Sequence, residues 1–261
     1  ESTSGQILLD GNDITRLNGK ALREEREKMH IIFQDPYSSL DPRKTIDSTI
    51  REPLIVSKKF SKKEIEEKTE NLVELVGIDE RLRRAYPHEL DGGRRQRVGI
   101  ARALALNPEF VVCDEPVSAL DVSIQAQVLN LLKKLQQERG LTYMFVTHDM
   151  SVVRHISDDI CVMYLGQVVE KCEAKELFRN PVHPYTKALL SAIPSVDIHH
   201  QTKREILKGE ITSPINPKPG CRFAARCPYA KEQCHPPQQQ KEISKGPFLT
   251  CCRVDEFSLY K

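Results

Sequence analysis

Apolar positions along the chain follow two periods. Phe110-Val111-Val112-Cys113 and Tyr143-Met144-Phe145-Val146 are short, continuous apolar runs, the pattern of strands buried on both faces. Between them, Ser123 to Arg139 carries Val128, Leu131, Leu132 and Leu135 on one side, at helical spacing. Strand, helix, strand in this order is a βαβ unit with its two strands parallel. Chemistry in open parallel sheets gathers at the carboxyl ends of strands. Here those ends carry Asp114-Glu115-Pro116 and Thr147-His148-Asp149.

The same reading predicts a short strand over 6–9 closed by an Asp10-Gly11 turn, helical character over 17–29, and an apolar run over 30–33. Residues 35–43 read as a loop. Residues 61–76 form an amphipathic helix with Ile65, Leu72, Val73 and Val76 inside, and Gly92-Gly93 opens a further helix over about 94–106. A strand pair over 160–170 turns at Gly166-Gln167. Prolines become frequent from Ala174 onward and periodicity fades after Ile193, which puts a boundary near 175 and predicts a poorly packed tail unless something staples it.

With 39% hydrophobic and 29% charged residues the chain can form an ordinary core. A net charge of +2 gives no electrostatic footprint for nucleic acid. No apolar run approaches the ~18–20 residues of a membrane span, and no signal peptide is visible, so a cytoplasmic chain is expected. The absence of an initiator Met suggests a fragment. Of the eight cysteines, Cys113, Cys161 and Cys172 read as small core residues. Cys221, Cys227, Cys234, Cys251 and Cys252 crowd the tail, where a reducing compartment favours a metal over disulfides.

Asp114-Glu115 after an apolar strand suits nucleotide hydrolysis: the Asp orders the hydration shell of Mg2+ and the Glu polarises the attacking water. Two acids at such a corner also serve simply as helix caps. Their surroundings are more specific. Gln34 follows an apolar run, Leu90-Asp91-Gly92-Gly93-Arg94 precedes a basic helix, Ser118-Ala119-Leu120-Asp121 follows Glu115, and His148 ends the next strand. In order and spacing these resemble the Q-loop, signature motif, Walker B, D-loop and switch histidine of ABC-transporter ATPases. Phe33 to Arg43 looks like the Q-loop of oligopeptide and dipeptide importers, and Asn180-Pro181-Val182-His183-Pro184-Tyr185-Thr186 looks like the HPY segment that opens their C-terminal extension.

The resemblance implies an α/β fold: a RecA-like ABC ATPase core (1–34 and 107–175), an inserted helical and signature subdomain (35–106), and a loop-rich, cysteine-containing extension (176–261). It implies ATP and Mg2+ as cofactors. Gln34 and Asp114 would face Mg2+, Glu115 would be the general base, His148 would contact the γ-phosphate, and Asp121 would act across a dimer interface. The partners implied are a second ABC ATPase subunit, making a heterodimer, two membrane permease subunits and, indirectly, an external substrate-binding protein. Residues 35–55 would help receive a permease helix at the cytoplasmic face of the membrane.

Two features depart from the family. The chain contains no G-x-x-x-x-G-K-[ST], the loop that cradles phosphates, so truncation is expected and this polypeptide alone should bind ATP poorly. The family signature Leu-Ser-Gly-Gly-Gln is here Leu-Asp-Gly-Gly-Arg. Asp91 can act as a helix N-cap, but its charge about 4 Å from a phosphate costs roughly 4 kcal/mol at an effective dielectric of ~20, which Arg94 offsets in part. A weakened composite ATP site, or a catalytically silent subunit, is the competing expectation, as is nickel in place of peptide. A non-transport ABC ATPase fits the Q-loop and HPY segments less well. In the tail the spacings are not those of common zinc ribbons. The resemblance implies a 4Fe-4S cluster on Cys221, Cys227, Cys234 and Cys251, the last fitting better than Cys252, with zinc or no metal as alternatives.

Overall fold

The computed structural model describes residues 2–193, 207, 209–210, 213, 215–238, 240–242 and 248–253. The chain divides into two compact units, Glu1–His148 and Asp149–Lys261.

The first unit opens with a hairpin of β1 (Leu8–Leu9) and β2 (Asn12–Asp13), turning through Asp10 and Gly11, both at positive φ. After α1 (Gly19–Arg26), β3 (Met29–Ile32) starts earlier than the apolar run suggested. Its edge is fixed by pairing: the Lys28 carbonyl accepts N–H groups from Glu109 and Phe110, which ends the helix before Met29. β3 is parallel to β4 (Phe110–Asp114), and β4 to β5 (Thr142–Val146), as the βαβ reading requires. One sheet face buries Ile32, Val111 and Cys113, while Ile31, Met144 and Val146 on the other are exposed. The connecting helix α5 (Val122–Arg139) is capped by Asp121 and ends on Gly140 at positive φ.

Between β3 and β4 lie α2 (Ile46–Ser57), α3 (Lys62–Leu75) and α4 (Gly92–Leu104). The α3 capping box on Ser61 and Glu64 explains the sharp start of that helix. No element was expected over 46–57, yet Ile46, Ile50 and Leu54 are fully buried there. The nearly buried Arg83 ties this layer together, donating to Asp47 (2.8 and 2.5 Å), Glu80 (2.8 Å) and Glu66 (2.9 Å).

In the second unit, α6 (Met150–Ile156) leads to an antiparallel pair, β6 (Asp159–Tyr164) and β7 (Gln167–Glu173), turning at Leu165 and Gly166. α7 (Ala174–Arg179) and α8 (Pro184–Ser191) follow. β8 (Lys241–Glu242) and β9 (Phe248–Leu249) complete a sheet of order β6-β7-β9-β8. The tail is better packed than its proline content suggested. Phe223 is fully buried edge-on against Tyr164 at 5.2 Å between ring centres, and Leu249 is fully buried beside Val182. Cys113 and Cys172 are core residues as expected, but Cys161 is exposed because β6 alternates and turns it outward. Among the described residues, no helix is long and apolar enough to cross a membrane.

Candidate functional site

Three groups of candidate residues gather in the structure. The first centres on Glu115, the residue after β4. Its backbone has φ +41°, and its N–H donates to Val146 of β5 at 2.9 Å, so the end of one strand is clamped to the next. The amide Nε2 of Gln34 donates to Glu115 Oε2 at 2.7 Å, and His148 Nδ1 lies 2.9 Å from Oε1. An ionised carboxylate only accepts, so the Nδ1 of His148 carries the proton in this contact. The hydrogen bond from His148 holds the Glu115 carboxyl below its usual range, outweighing desolvation. Asp114 ends β4 directly beside this trio. The site is open: the His148 side chain is 75% exposed, as befits groups that must meet a ligand from outside.

The second group sits at the N-termini of α4 and α5. Asp91 caps α4, accepting the Arg94 N–H at 2.7 Å, and its other oxygen is 3.2 Å from the Arg94 guanidinium. The charge that would oppose a phosphate is therefore already met by its own helix end and by Arg94. Asp121 caps α5 in the same way, accepting from the Ile124 N–H at 3.0 Å and the Ser123 hydroxyl at 2.7 Å. The backbone N–H of Ile124 is the main cause of its lowered pKa. Gly92 and Gly93 form the first turn of α4.

The third group is in the second unit. Cys221, Cys227, Cys234, Cys251 and Cys252 all line one cavity, together with His183, Phe223, Tyr229 and Arg253. The Cys221 N–H donates to the Cys234 carbonyl at 2.8 Å. Gly220 makes this crossing feasible: a Cβ there would lie 2.3 Å from the His235 carbonyl oxygen, and φ is +102°. Burial pushes the thiols of Cys221, Cys227 and Cys251 up, and Cys252, 3.8 Å from the Cys234 sulfur, up to about 11. Among the described residues, no three His, Cys, Asp or Glu side chains converge as a single metal ion requires.

The family model "ABC transporter" matches residues 1–118, and "Oligopeptide/dipeptide transporter, C-terminal region" matches residues 169–234. The oligopeptide transport ATP-binding protein AppF of Bacillus subtilis is 51% identical over 253 residues, 95% of this chain and 77% of that protein. The chain belongs to the ATP-binding subunits of the oligopeptide/dipeptide ABC transporters. The dipeptide transport ATP-binding protein DppF of Haemophilus influenzae is 47% identical, over 98% of this chain and 78% of that protein. The structure of cbiO1 from Clostridium perfringens, part of the ABC transporter complex cbiONQ, superposes with a TM-score of 0.62 at 32% identity, covering 68% of this chain and 69% of that one. A dimeric, post-hydrolysis ATP-binding cassette, MJ0796 with ADP and Pi, does so at 0.59 and 32%, covering 66% and 74%. The fold is thus the α/β fold of ABC ATPases, a family whose cofactors are ATP and Mg2+.

One constellation in this family member escaped the sequence reading. Glu170 of β7 is fully buried, and its two carboxylate oxygens accept the backbone N–H groups of Val182 and His183, each at 2.9 Å. His183 in turn caps α8 through its Nδ1, 3.2 Å from the Tyr185 N–H. The HPY segment is therefore the seat of a buried carboxylate. Its signal was present in the motif, but the acid that gives it physical meaning lies on a different element.

Proposed function

We propose that this chain hydrolyses ATP to drive uptake of oligopeptides or dipeptides through a pair of membrane permease subunits, working at the cytoplasmic face of the membrane. The observation that carries the reading is the Gln34–Glu115–His148 constellation: two side chains from distant points of the chain meet on one half-buried carboxylate beside Asp114. Each Glu115 oxygen keeps a second lone pair, so the carboxylate can take the proton of an attacking water while Gln34 and His148 hold its direction. Asp114 and Gln34 would face Mg2+, which supplies charge neutralisation at the phosphates. The Nδ1–H of His148, which faces Glu115 here, is the polar hydrogen that would turn to the γ-phosphate when nucleotide binds. The Asp91–Gly92–Gly93–Arg94 turn and Asp121 would complete the ATP site of a second ATPase subunit, in a heterodimer. The four-segment division at 34, 106 and 175 belongs to the same reading.

A second reading, a catalytically impaired partner subunit, is favoured by Asp91 and Arg94 alone, and their mutual pairing weakens it. The five tail cysteines around one cavity support a 4Fe-4S site on Cys221, Cys227, Cys234 and Cys251. A cluster needs thiolates spaced around a volume rather than converging on a point, and bound iron would pull the raised thiol pKa values down. Iron analysis and visible absorbance of anaerobically purified protein test this; protein free of both removes it. For the transport reading, ATP-dependent accumulation of a labelled peptide in vesicles bearing the assembled transporter is expected. Accumulation of nickel and not peptide, or none with ATP, would overturn it.

A further inference from the structure

The glycines of the signature turn have no conformational reason to be glycine. Neither Gly92 nor Gly93 is among the residues at positive φ, both lie in a helix, and glycine is the weakest helix former after proline. What excludes a side chain at 93 is a neighbour. A Cβ on the buried Gly93 would lie 2.4 Å from Cγ2 of Ile124, in the first turn of α5. Ile124 is β-branched and in a helix, so its χ1 is stiff and that methyl cannot swing aside. At Gly92 the opposing atom is the flexible end of Leu120, at 3.2 Å, which can yield.

The same seam continues one turn along both helices. Arg97 donates through Nη2 to Gln127 of α5 at 3.2 Å and through Nη1 to the Val76 carbonyl behind α3 at 2.8 Å. Ile124 is also the residue whose N–H Asp121 caps, and Asp91 Oδ1 lies 3.6 Å from the Cβ position of Gly93. The caps of both helices thus flank the place where Gly93 faces Ile124.

We propose that Gly93 is required by Ile124 rather than by nucleotide, and that Ile124 is a positioning residue: it locks the signature turn to the D-loop helix so that both present to the partner's ATP as one body. The proposal rests on the reading that these two elements complete a partner's site. A double-mutant cycle in the full-length protein assembled with its transporter partners tests it. Gly93→Ala should cut ATP turnover by roughly tenfold to a hundredfold, the scale of a ~1 Å misplacement. Ile124→Ala alone should cost less. It leaves only a Cβ 3.7 Å from the Cβ position at 93, an ordinary contact, so the cost of Gly93→Ala should be at least about fivefold smaller in the Ile124→Ala background than in the wild type. If the double variant is as inactive as Gly93→Ala, phosphate and not Ile124 demands the glycine, and the proposal falls while the ATPase reading stands. The unfolding midpoint gives a second measurement that does not depend on hydrolysis. Gly93→Ala should lower it in the wild-type background and not in Ile124→Ala, and additive losses would equally overturn the lock.

Discussion

Two glutamates in this protein are held by hydrogen-bond donors in opposite ways. Glu115 is bound by side chains, Gln34 and His148, that reach it from distant points of the chain and remain open to solvent. Glu170 is sealed from solvent and bound by consecutive backbone N–H groups of one turn. Side-chain donors can rotate away at the cost of about one hydrogen bond, whereas backbone donors leave only if the turn unfolds. The first arrangement suits a group that changes partners during a reaction. The second fixes the HPY segment to its sheet.

The sharpest way to separate them is Glu115→Gln. ATP turnover of the assembled transporter should fall by about 10²–10⁴-fold, with little change in the unfolding midpoint. A variant that keeps its activity would show that Glu115 is another structural acid. His183 comes next. Burial pushes its pKa down to about 4, against an ordinary value of 6.5. The unfolded chain therefore takes up this proton first as pH falls. The contribution is fully present above pH 6.5 and is lost as pH falls through about 4, a change of about 3 kcal/mol. His183→Asn keeps a capping acceptor but cannot titrate, so its denaturation curves between pH 6.5 and 4 should show a shallower loss. An unchanged slope would mean that His183 is not buried neutral.

Glu170→Gln should cost about 1–3 kcal/mol, because the amide turns a donor toward one of two buried N–H groups. Its effect also has a sign in pH. Burial raises the Glu170 pKa, against hydrogen bonds from Thr186, Val182 and His183 and the charge of Lys187. Its contribution is present below about pH 4.5 and is lost as pH rises through the folded value, opposite to His183. The Gln variant should therefore lose least, relative to wild type, at the alkaline end, which urea titrations at several pH values would read. Smallest is Asp91→Ser: with Arg94 already pairing the carboxylate on a half-exposed surface, ATP turnover should rise only a few-fold, about 1 kcal/mol or less. A larger rise would show that the ion pair opens when nucleotide is bound.

How far the sequence spoke for these features depended on how local they are. β4, β5 and the cap at Asp91 were readable because a few adjacent residues determine them. α2 was missed although Ile46, Ile50 and Leu54 keep a helical period, since Pro53 inside it reads as a breaker. α8 was missed because it is short and opens on Pro184, at a position where proline is tolerated. Gln34, Glu115 and His148 were found through motif order, but their convergence on one carboxylate, like the contact of Gly93 with Ile124, depends on how strands and helices pack. Arg83 illustrates the same limit: its four acidic neighbours come from three separate segments.

The backbone of Glu115 has a consequence for how this protein can be lost or altered. A non-glycine residue at φ +41° carries strain of about 1–3 kcal/mol that a glycine would release. The replacement that removes the proposed general base most completely, Glu115→Gly, is therefore also one whose backbone the fold tolerates. Apart from the solvent-facing hydrogen bonds from Gln34 and His148, folding exerts no pull toward glutamate at this position, so transport activity is what keeps it there. A gene freed from that demand can drift to a stable, well-folded and inactive subunit in a single step.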